Sequence, residues 1–275
     1  MIMQQNGYAW EVTAKDIGVY LPGGEGWFRY PLRRIVKPYT DGGTHQNQDL
    51  WRLHQVTLWN REGDGFSPIY PFPITNGGEW ECAIRIEGTP DFHGGFHGYE
   101  HATSFEIFPE KDSFGAVQES VIYLQGTRDT RVATHRKEYL FSDGELVLKQ
   151  RVVWEMACHV NRAFLTMLPI RRREGDFLIN DTALYEGKEY DISAEGHKTP
   201  LSPGCKFDIN EITTTGKQSG ITATVRASYG KDFAIQNTSQ YNKLYFCYAR
   251  NYHTEVDEVW EAESLFRLQY QKPAK

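Results

Sequence analysis

Short apolar runs separated by turn-forming residues recur along the whole chain. Val, Ile, Tyr, Phe, Trp and Thr dominate the runs, and Gly, Asp, Asn and Pro stand between them. This pattern predicts β-strands, because β-branched and aromatic side chains suit a pleated backbone. The sequence contains no apolar pattern that repeats at helical spacing over three turns. The predicted strands are Trp51–Asn60, Glu79–Glu87, His101–Phe108, Ser120–Gln125, Arg131–Phe141, Glu145–Val160, Ala163–Ile170, Lys206–Thr213, Gly220–Ala227, Asp232–Gln236, Lys243–Asn251 and Trp260–Gln271.

These strands predict an all-β fold, an antiparallel β-sandwich or jelly roll in which residues 1–275 form a single domain. The stretch from Phe141 to Glu145 reads Phe-Ser-Asp-Gly-Glu, and its Asp-Gly pair predicts a hairpin turn. We expect only short accessory helices, near Ala14–Val19 or Gly175–Leu184. Residues 1–45 are rich in Gly, Pro and Tyr, and we expect them to wrap around the edge of the sandwich.

Composition narrows the classes of partner. The net charge of −6 and the absence of a long basic run argue against nucleic acid. Neither a membrane span nor the basic and apolar regions of a secretory signal are present. The expected location is therefore the cytoplasm, a phage virion, or the outside of the cell after processing. Aromatic residues make up 14% of the chain, and such rings pack in cores but also line sugar-binding clefts.

The cysteines lie far apart and lack the spacing of a zinc site. We expect buried free thiols, although a disulfide is left open, as are the oligomeric state and any bound metal. The cysteines are Cys82, Cys158, Cys205 and Cys247.

A histidine-rich stretch from Asp91 to His101 is the most unusual feature of the sequence. If this stretch is extended, alternate residues share one face, and that face predicts the floor of a wet cleft rather than a core. Proton transfer is one chemistry that suits it, with a histidine as acceptor and a tyrosine as donor. A divalent metal is the alternative, although a straight strand would hold two such histidines about 13 Å apart. The residues of this face are Asp91, His93, His97, Tyr99 and His101, with Glu100 as a substrate-binding neighbour; the metal alternative uses His93, His97 and His101.

Three later segments supply further candidates for catalysis and substrate binding. Each candidate also has a purely structural interpretation, as an exposed strand edge or as a core tyrosine. In the first segment Arg131, His135, Lys137 and Tyr139 share one face, and Arg136 lies on the other. The second segment contributes Glu155, His159 and Asn161. The third contributes Tyr245, Tyr248, Arg250, Tyr252 and His253.

Two families share short motifs with this sequence. The strand pattern and the segment Asn242-Lys-Leu-Tyr-Phe246 resemble the jelly-roll polysaccharide lyases, although Cys247 stands where that family has a lysine. The His93-Gly-Gly95 motif, after Pro68-Ile-Tyr-Pro71, is similar to that of the hexose mutarotases. The second resemblance implies His159 as a catalytic acid and Glu255 or Glu258 as a base.

The leading hypothesis from the sequence is a polysaccharide lyase that cleaves an acidic glycan by β-elimination, without an obligatory cofactor. Its roles would fall to His93 or His97 as proton acceptor, and to Tyr99 or Tyr248 as donor. Arg131, His135 or Arg136 would neutralise the sugar carboxylate. Two alternatives remain: a non-catalytic carbohydrate- or receptor-binding module of the phage-tail type, and a mutarotase-like epimerase. The expected partner in each case is a polysaccharide or oligosaccharide, with neither nucleic acid nor membrane.

Overall fold

Two packed β-sheets form the molecule. The computed structural model describes residues 2–37, 48–77, 80–89, 93, 99–125, 127, 129–195, 209–229 and 232–274. In chain order the strands are β1 (Ile2–Gln5), β2 (Tyr8–Val12), β3 (Asp16–Gly23), β4 (Gly26–Lys37), β5 (Gln48–Leu53), β6 (Thr57–Glu62), β7 (Gly65–Pro68), β8 (Ala83–Ile86), β9 (Glu100–Pro109), β10 (Phe114–Tyr123), β11 (Arg131–Ser142), β12 (Glu145–Trp154), β13 (His159–Arg171), β14 (Arg173–Glu174), β15 (Phe177–Leu178), β16 (Thr182–Tyr185), β17 (Lys188–Asp191), β18 (Glu211–Thr215), β19 (Ile221–Ala227), β20 (Asp232–Asn237), β21 (Tyr241–His253) and β22 (Val259–Tyr270).

The large sheet has the order β1-β2-β3-β4-β5-β9-β10-β11-β12-β22-β19-β18-β16-β17, with β6 and β7 attached beside β4. The small sheet has the order β20-β21-β13-β8, and β14 and β15 form a separate ribbon. The pairs are antiparallel apart from β5 and β9, which run parallel. The predicted antiparallel β-sandwich is therefore confirmed.

The core lies between the two sheets. Tyr139 and Phe266 of the large sheet belong to the same buried cluster as Leu168 and Phe246 of the small sheet. A second cluster around Trp154 and Trp260 fills the end of the sandwich where β12 meets β22. Period-two alternation explains both clusters, because every second side chain of each strand faces the opposite sheet.

Local departures from the predicted elements have clear causes. The predicted strand from Glu145 to Val160 ends at Trp154, and a bend separates it from β13. The predicted hairpin is confirmed, with positive φ angles at Asp143 and Gly144. Short helices were expected near Ala14–Val19 and Gly175–Leu184, but both regions form strands and turns, and the described residues contain no helix.

Residues 2–37 of the N-terminal region do not wrap around an edge. Instead, β1 to β4 are successive antiparallel strands, and β1 is itself an edge of the large sheet. Nowhere in the described ranges does a helix with the length and apolarity of a membrane span occur. Cys82, Cys158 and Cys247 are buried free thiols, as expected, and Cys205 lies outside the described residues.

Glycine is required at position 220, just before β19, where Gln271 follows the neighbouring strand β22. Gly220 has a φ of +69°, and a Cβ there would lie 1.9 Å from the carbonyl oxygen of Gln271. Gly63 has a similar φ of +61°, but a Cβ there would meet no atom within 4 Å. The two positions therefore separate the cost of a left-handed backbone from the cost of close packing.

We expect Gly63→Ala to lower the free energy of unfolding by about 1 to 2 kcal/mol, the cost of left-handed backbone for an L-residue. Gly220→Ala should cost at least about 1 kcal/mol more, because the added methyl group must displace backbone. Urea denaturation of both variants measures the difference. Equal losses would show that the contact with Gln271 is not limiting.

Candidate functional site

The histidine-rich stretch does not form one exposed strand face. His93 makes an isolated bridge with Ile84 and is fully buried. Its Nδ1 lies 3.3 Å from the carbonyl oxygen of Ile84, and its Nε2 accepts a hydrogen bond of 2.9 Å from the backbone N–H of Gln125. Both ring nitrogens thus bind backbone groups, which gives His93 a structural environment rather than that of a proton acceptor.

Tyr99 breaks the predicted alternation. Its φ is +61° and its side chain is buried, so the strand begins only at Glu100. The hypothesis of a shared face is therefore wrong for the described members of the stretch. His101 is half-buried on β9, with its ring centroid 5.5 Å from that of Tyr123. His97 and Asp91 lie outside the described residues.

The metal alternative finds no support in the described part of the chain. Within it, no group of three or more His, Cys, Asp or Glu side chains is arranged to hold a metal ion. His93 directs its nitrogens to backbone groups, and His101 packs against an aromatic ring.

Strand β11 carries the predicted alternation, but its polar face points into the core. His135, Lys137 and Tyr139 are all fully buried, as their shared face requires. Arg136 lies on the opposite face, where it pairs with Glu119 at 2.5 Å and with Glu138 at 2.6 Å. The pattern therefore grouped His135, Lys137 and Tyr139 correctly, whereas Arg131, predicted on the same face, is exposed at the start of the strand. The expectation that this face lines a wet cleft is not met.

Glu100 is the acidic centre of a buried polar cluster. It is fully buried, and one of its oxygens lies 2.9 Å from Lys137 Nζ and 3.1 Å from His135 Nδ1. The same oxygen accepts a hydrogen bond of 2.5 Å from the Ser120 hydroxyl. Burial alone would raise the pKa of Glu100, but the charge of Lys137 and the contacts with His135 and Ser120 hold it well below its usual range. Glu100 is therefore an ionised group inside the core.

Glu81 is a second buried acid of the cluster, and the sequence patterns did not single it out. It accepts hydrogen bonds of 2.9 Å from the backbone N–H of Leu53 and 2.8 Å from the Tyr139 hydroxyl. Burial raises the pKa of Glu81, and the charges of Lys137 and Arg52 oppose that rise only in part. Its other oxygen, Oε2, has no hydrogen-bond partner among the described residues. Two buried carboxylates thus have pKa values shifted in opposite directions.

The remaining basic candidates lie away from this cluster. Arg131 pairs with Glu155 at 2.7 Å on the surface. His159 Nδ1 lies 2.6 Å from Glu87, and the His159 ring stacks on that of His253 at 4.3 Å. Asn161 is half-buried on the same strand, β13.

An open cleft lies where β21 approaches the start of β22, and four of the predicted residues line it: Tyr248, Arg250, Tyr252 and Glu258. Its volume is 610 Å³. Tyr248 and Arg250 line it, whereas Tyr245 lies elsewhere, packed on Phe164 with its hydroxyl donating to Gln236 at 2.7 Å. The lining residues are Ser228, Tyr229, Cys247, Tyr248, Ala249, Arg250, Tyr252, Glu258, Val259, Trp260 and Glu261.

Aromatic rings form one wall of the cleft. The Trp260 ring centroid lies 5.1 Å from that of Tyr248 and 6.0 Å from that of Tyr252. The ring centroids of Tyr229 and Tyr248 lie 4.9 Å apart. Tyr252 is 44% exposed, so its ring is accessible to a ligand. No sequence pattern distinguishes Trp260 or Tyr229 as a site residue, because an aromatic residue in a strand is usually a core residue.

Glu258 supplies a carboxylate at the same wall. It accepts a hydrogen bond of 2.7 Å from Trp260 Nε1 and one of 2.9 Å from the backbone N–H of Glu255. Burial acts to raise its pKa, but these hydrogen bonds and one with Tyr252 lower it overall. Glu258 is therefore ionised at neutral pH and held in a fixed orientation.

A chain of hydrogen bonds joins the cleft to the buried cluster. The Tyr229 hydroxyl accepts from the backbone N–H of Leu165 at 3.1 Å, and Gln150 donates to the carbonyl of the same residue. Gln150 in turn accepts from the backbone N–H of Cys82 at 3.2 Å. Cys82 follows Glu81 in the chain. These hydrogen bonds therefore connect Tyr229, which forms the floor of the cleft, to the backbone next to the buried cluster.

The structure does not bring together the residues assigned to β-elimination. The proposed acceptor His93 is held by backbone groups, the donor Tyr99 is buried, and Tyr248 lies in the open cleft. The proposed neutralisers are also separated, because Arg131 and Arg136 pair with surface glutamates while His135 lies in the core.

The mutarotase assignment is likewise only partly met. His93 bridges Ile84 on one side of β8, and His159 lies on the other side of that strand, paired with Glu87. Glu258 lies in the cleft, and Glu255 is exposed beside it.

Lys137→Met should strongly destabilise the fold, because it leaves the Glu100 carboxylate buried without its cation. We expect the free energy of unfolding to fall by about 3 to 5 kcal/mol, measured by urea denaturation at pH 7. The matched control is Lys149→Met, since Lys149 is exposed and lies 3.8 Å from Glu263; it should cost less than about 1 kcal/mol.

The double variant Glu100→Gln, Lys137→Met should recover much of the loss, because it removes both charges.

Low pH should also lower the free energy of unfolding, as Lys137→Met does, because protonation of Glu100 likewise breaks the ion pair. A depressed folded-state pKa makes the contribution of Glu100 complete above its unfolded pKa of about 4.3, and this contribution is lost as the pH falls further. Equal effects of Lys137→Met and Lys149→Met would refute the role given to this ion pair.

Comparison with known proteins places the fold. No family model and no curated protein sequence matches the chain. Among solved structures, the Slr1438 protein from Synechocystis sp. PCC 6803 is similar with a TM-score of 0.50 and 12% identity, over 95% of this chain and 99% of that chain. A galactose 1-epimerase from Lactobacillus acidophilus has a TM-score of 0.46 and 8% identity, over 95% and 97%. A galactose mutarotase-like protein from Clostridium acetobutylicum has 0.45 and 9%, over 95% and 98%. At these identities the likeness concerns the β-sandwich fold alone.

Proposed function

We propose that this chain is a carbohydrate-binding protein and that it holds a sugar ring in the cleft between β21 and β22. The observation that carries the proposal is the wall formed by Tyr248, Tyr252 and Trp260, with the Glu258 carboxylate beside it. The volume of 610 Å³ lies within the range of small-molecule sites.

The chemistry of this wall suits a sugar better than a flat aromatic ligand or a peptide. Aromatic faces pack against the C–H face of a pyranose, and the exposed Tyr252 ring is accessible to such a contact. An ionised carboxylate accepts hydrogen bonds from neighbouring sugar hydroxyls, and such charge-assisted bonds are about twice as strong as neutral ones. Trp260 is 3% exposed and packs behind the two tyrosines, so a sugar residue would contact the rings of Tyr248 and Tyr252.

Binding without bond cleavage is favoured by what lines the cleft. The described lining residues include no histidine, and the histidines assigned to proton transfer lie elsewhere. The hydrogen bonds from Trp260 and Glu255 hold Glu258 in place, as a recognition group requires.

Mutarotase-like epimerisation is a second candidate, which the position of Glu258 favours. In such a reaction a base takes the proton of the anomeric hydroxyl while an acid protonates the ring oxygen, and the C1–O5 bond breaks to give the open-chain aldehyde. Closure onto the other face of the aldehyde reverses both proton transfers. Glu258 would be the base, and Tyr248, whose pKa burial raises, would be the protonated donor.

Tyr252→Ala should weaken sugar binding without loss of the fold. We expect the dissociation constant for the best-binding sugar of a galactose, glucose and uronate panel to rise about tenfold, the equivalent of about 1.4 kcal/mol. Titration calorimetry measures the effect. Phe108→Ala is the matched control, because Phe108 is also 44% exposed but lies on the large sheet. Unchanged binding by Tyr252→Ala, or equal losses in both variants, would contradict the proposed site.

Glu258→Gln separates the two candidate functions. If the cleft catalyses epimerisation, this variant should lose at least about a hundredfold in the rate of anomer exchange, while binding falls only a few-fold. Exchange measured by NMR on a purified anomer provides the rate. Glu255→Gln is the control, since Glu255 is exposed and does not line the cleft. An unaccelerated anomer exchange in the unaltered protein would exclude the enzymatic candidate and leave the binding function.

A further inference from the structure

Three arginines form a row across the small sheet. Arg162 of β13 is the register partner of Arg85 in β8 and of Arg250 in β21. Register partners project from the same face of a sheet, and neighbouring strands lie about 5 Å apart. All three residues are exposed, so their guanidinium groups share one strip of surface.

This arrangement opposes stability. Like charges directly opposite on neighbouring strands are destabilising, whereas opposite charges in such pairs stabilise the sheet. Arg85 and Arg162 form no ion pair in the part of the chain that the structure describes. Arg162 instead lies over the ring of Phe164, with Cζ 5.8 Å from its centroid.

The large sheet shows how the same chain compensates such a pair elsewhere. Arg136 and Arg151 are also register partners. There, however, Arg136 pairs with Glu119 and Glu138, and Arg151 lies 3.5 Å from Glu261. Among the described residues, Arg85 and Arg162 of the small sheet have no glutamate or aspartate paired with them in this way. Positive charge is therefore concentrated on one strip of a protein whose net charge is −6.

The row is continuous with the cleft, because Arg250 belongs to both. Guanidinium groups bind carboxylates and sulfates through paired hydrogen bonds. We propose that Arg85, Arg162 and Arg250 form an anion-binding strip beside the cleft, and that the ligand is an acidic oligosaccharide. One of its sugar rings would lie in the cleft and its neighbouring acidic groups on the strip. This inference rests on the proposed function for the ring in the cleft and adds the chemical class of the ligand.

The test compares the double variant Arg85→Gln, Arg162→Gln with the unaltered protein by titration calorimetry. The probes are tetragalacturonate, a sulfated galactan oligosaccharide and a neutral galacto-oligosaccharide of the same length. We expect the double variant to bind the better acidic probe at least tenfold more weakly, with a smaller dependence on salt. Binding of the neutral probe should not change. Tighter binding of the carboxylate or the sulfate probe identifies which anionic group the strip selects.

Arg226→Gln is the matched control. Arg226 is exposed on β19, but its register partner is Glu211 rather than another arginine. This control should bind all probes as the unaltered protein does. Folding of the double variant is checked by thermal unfolding at low salt, where loss of repulsion should leave the midpoint equal or higher.

The outcomes separate this inference from the proposed function. An equal affinity of the double variant and the unaltered protein for the acidic probes, or no binding of either acidic probe, overturns the strip. A single-stranded DNA oligomer that binds more tightly than both acidic probes overturns the assignment to a glycan. Failure of Tyr252→Ala to weaken any sugar, together with arginine-dependent binding of an acidic probe, contradicts the cleft and supports the strip.

Discussion

Burial of the Glu100 carboxylate against Lys137 is the constraint around which the interior of the sandwich is arranged. Removing two charges from water costs several kcal/mol for each ion, and only close contact with further hydrogen bonds offsets that cost. Here β9, β10 and β11 each supply one part, as Glu100, Ser120 and Lys137. A shift in register by one residue on any of these strands would turn its charged or polar group to the outside. The ion pair therefore fixes the alignment of three strands as well as their faces.

Glu81 extends this constraint to the segment before the small sheet. It binds the backbone of Leu53 and the hydroxyl of Tyr139, and so ties the segment before β8 to β5 and β11. The neighbouring Cys82 connects through Gln150 to Leu165, whose backbone binds Tyr229 in the cleft. The cleft thus has a floor that is held by the core, while its outer wall, with Tyr252 and Arg250, remains exposed. A rigid floor and an accessible wall are what recognition of a small polar ligand requires.

The sequence could predict the sides of strands but not what those sides face. Alternation in β11 correctly grouped His135, Lys137 and Tyr139, because side chains in a strand alternate whatever surrounds them. A face with charged groups predicts contact with water. It is buried here because Glu100 pairs with Lys137, and Glu100 comes from another strand, β9, so no pattern within β11 reveals it. The prediction that the histidine-rich stretch forms one exposed strand face was wrong for another reason. A left-handed backbone at Tyr99 is rare for an aromatic residue, and no local pattern signals it. Glu81 falls in the predicted strand Glu79–Glu87, but β8 begins only at Ala83, so strand alternation does not assign Glu81 to a face.

The two sheets differ in how charged side chains are arranged on their exposed faces. On the large sheet, Arg136 and Arg151 are register partners, but Glu119 and Glu138 pair with Arg136, and Glu261 lies beside Arg151. On the small sheet, Arg85 and Arg162 lie opposite each other with no described acid between them. The large-sheet face needs no partner, because its arginines are already paired with acids. Repulsion between Arg85 and Arg162 retains an electrostatic cost in the free protein, and a bound anion is the simplest group that would remove it. The exposed end of that row is Arg250, which also borders the aromatic wall, so the two features that distinguish this surface meet at one residue.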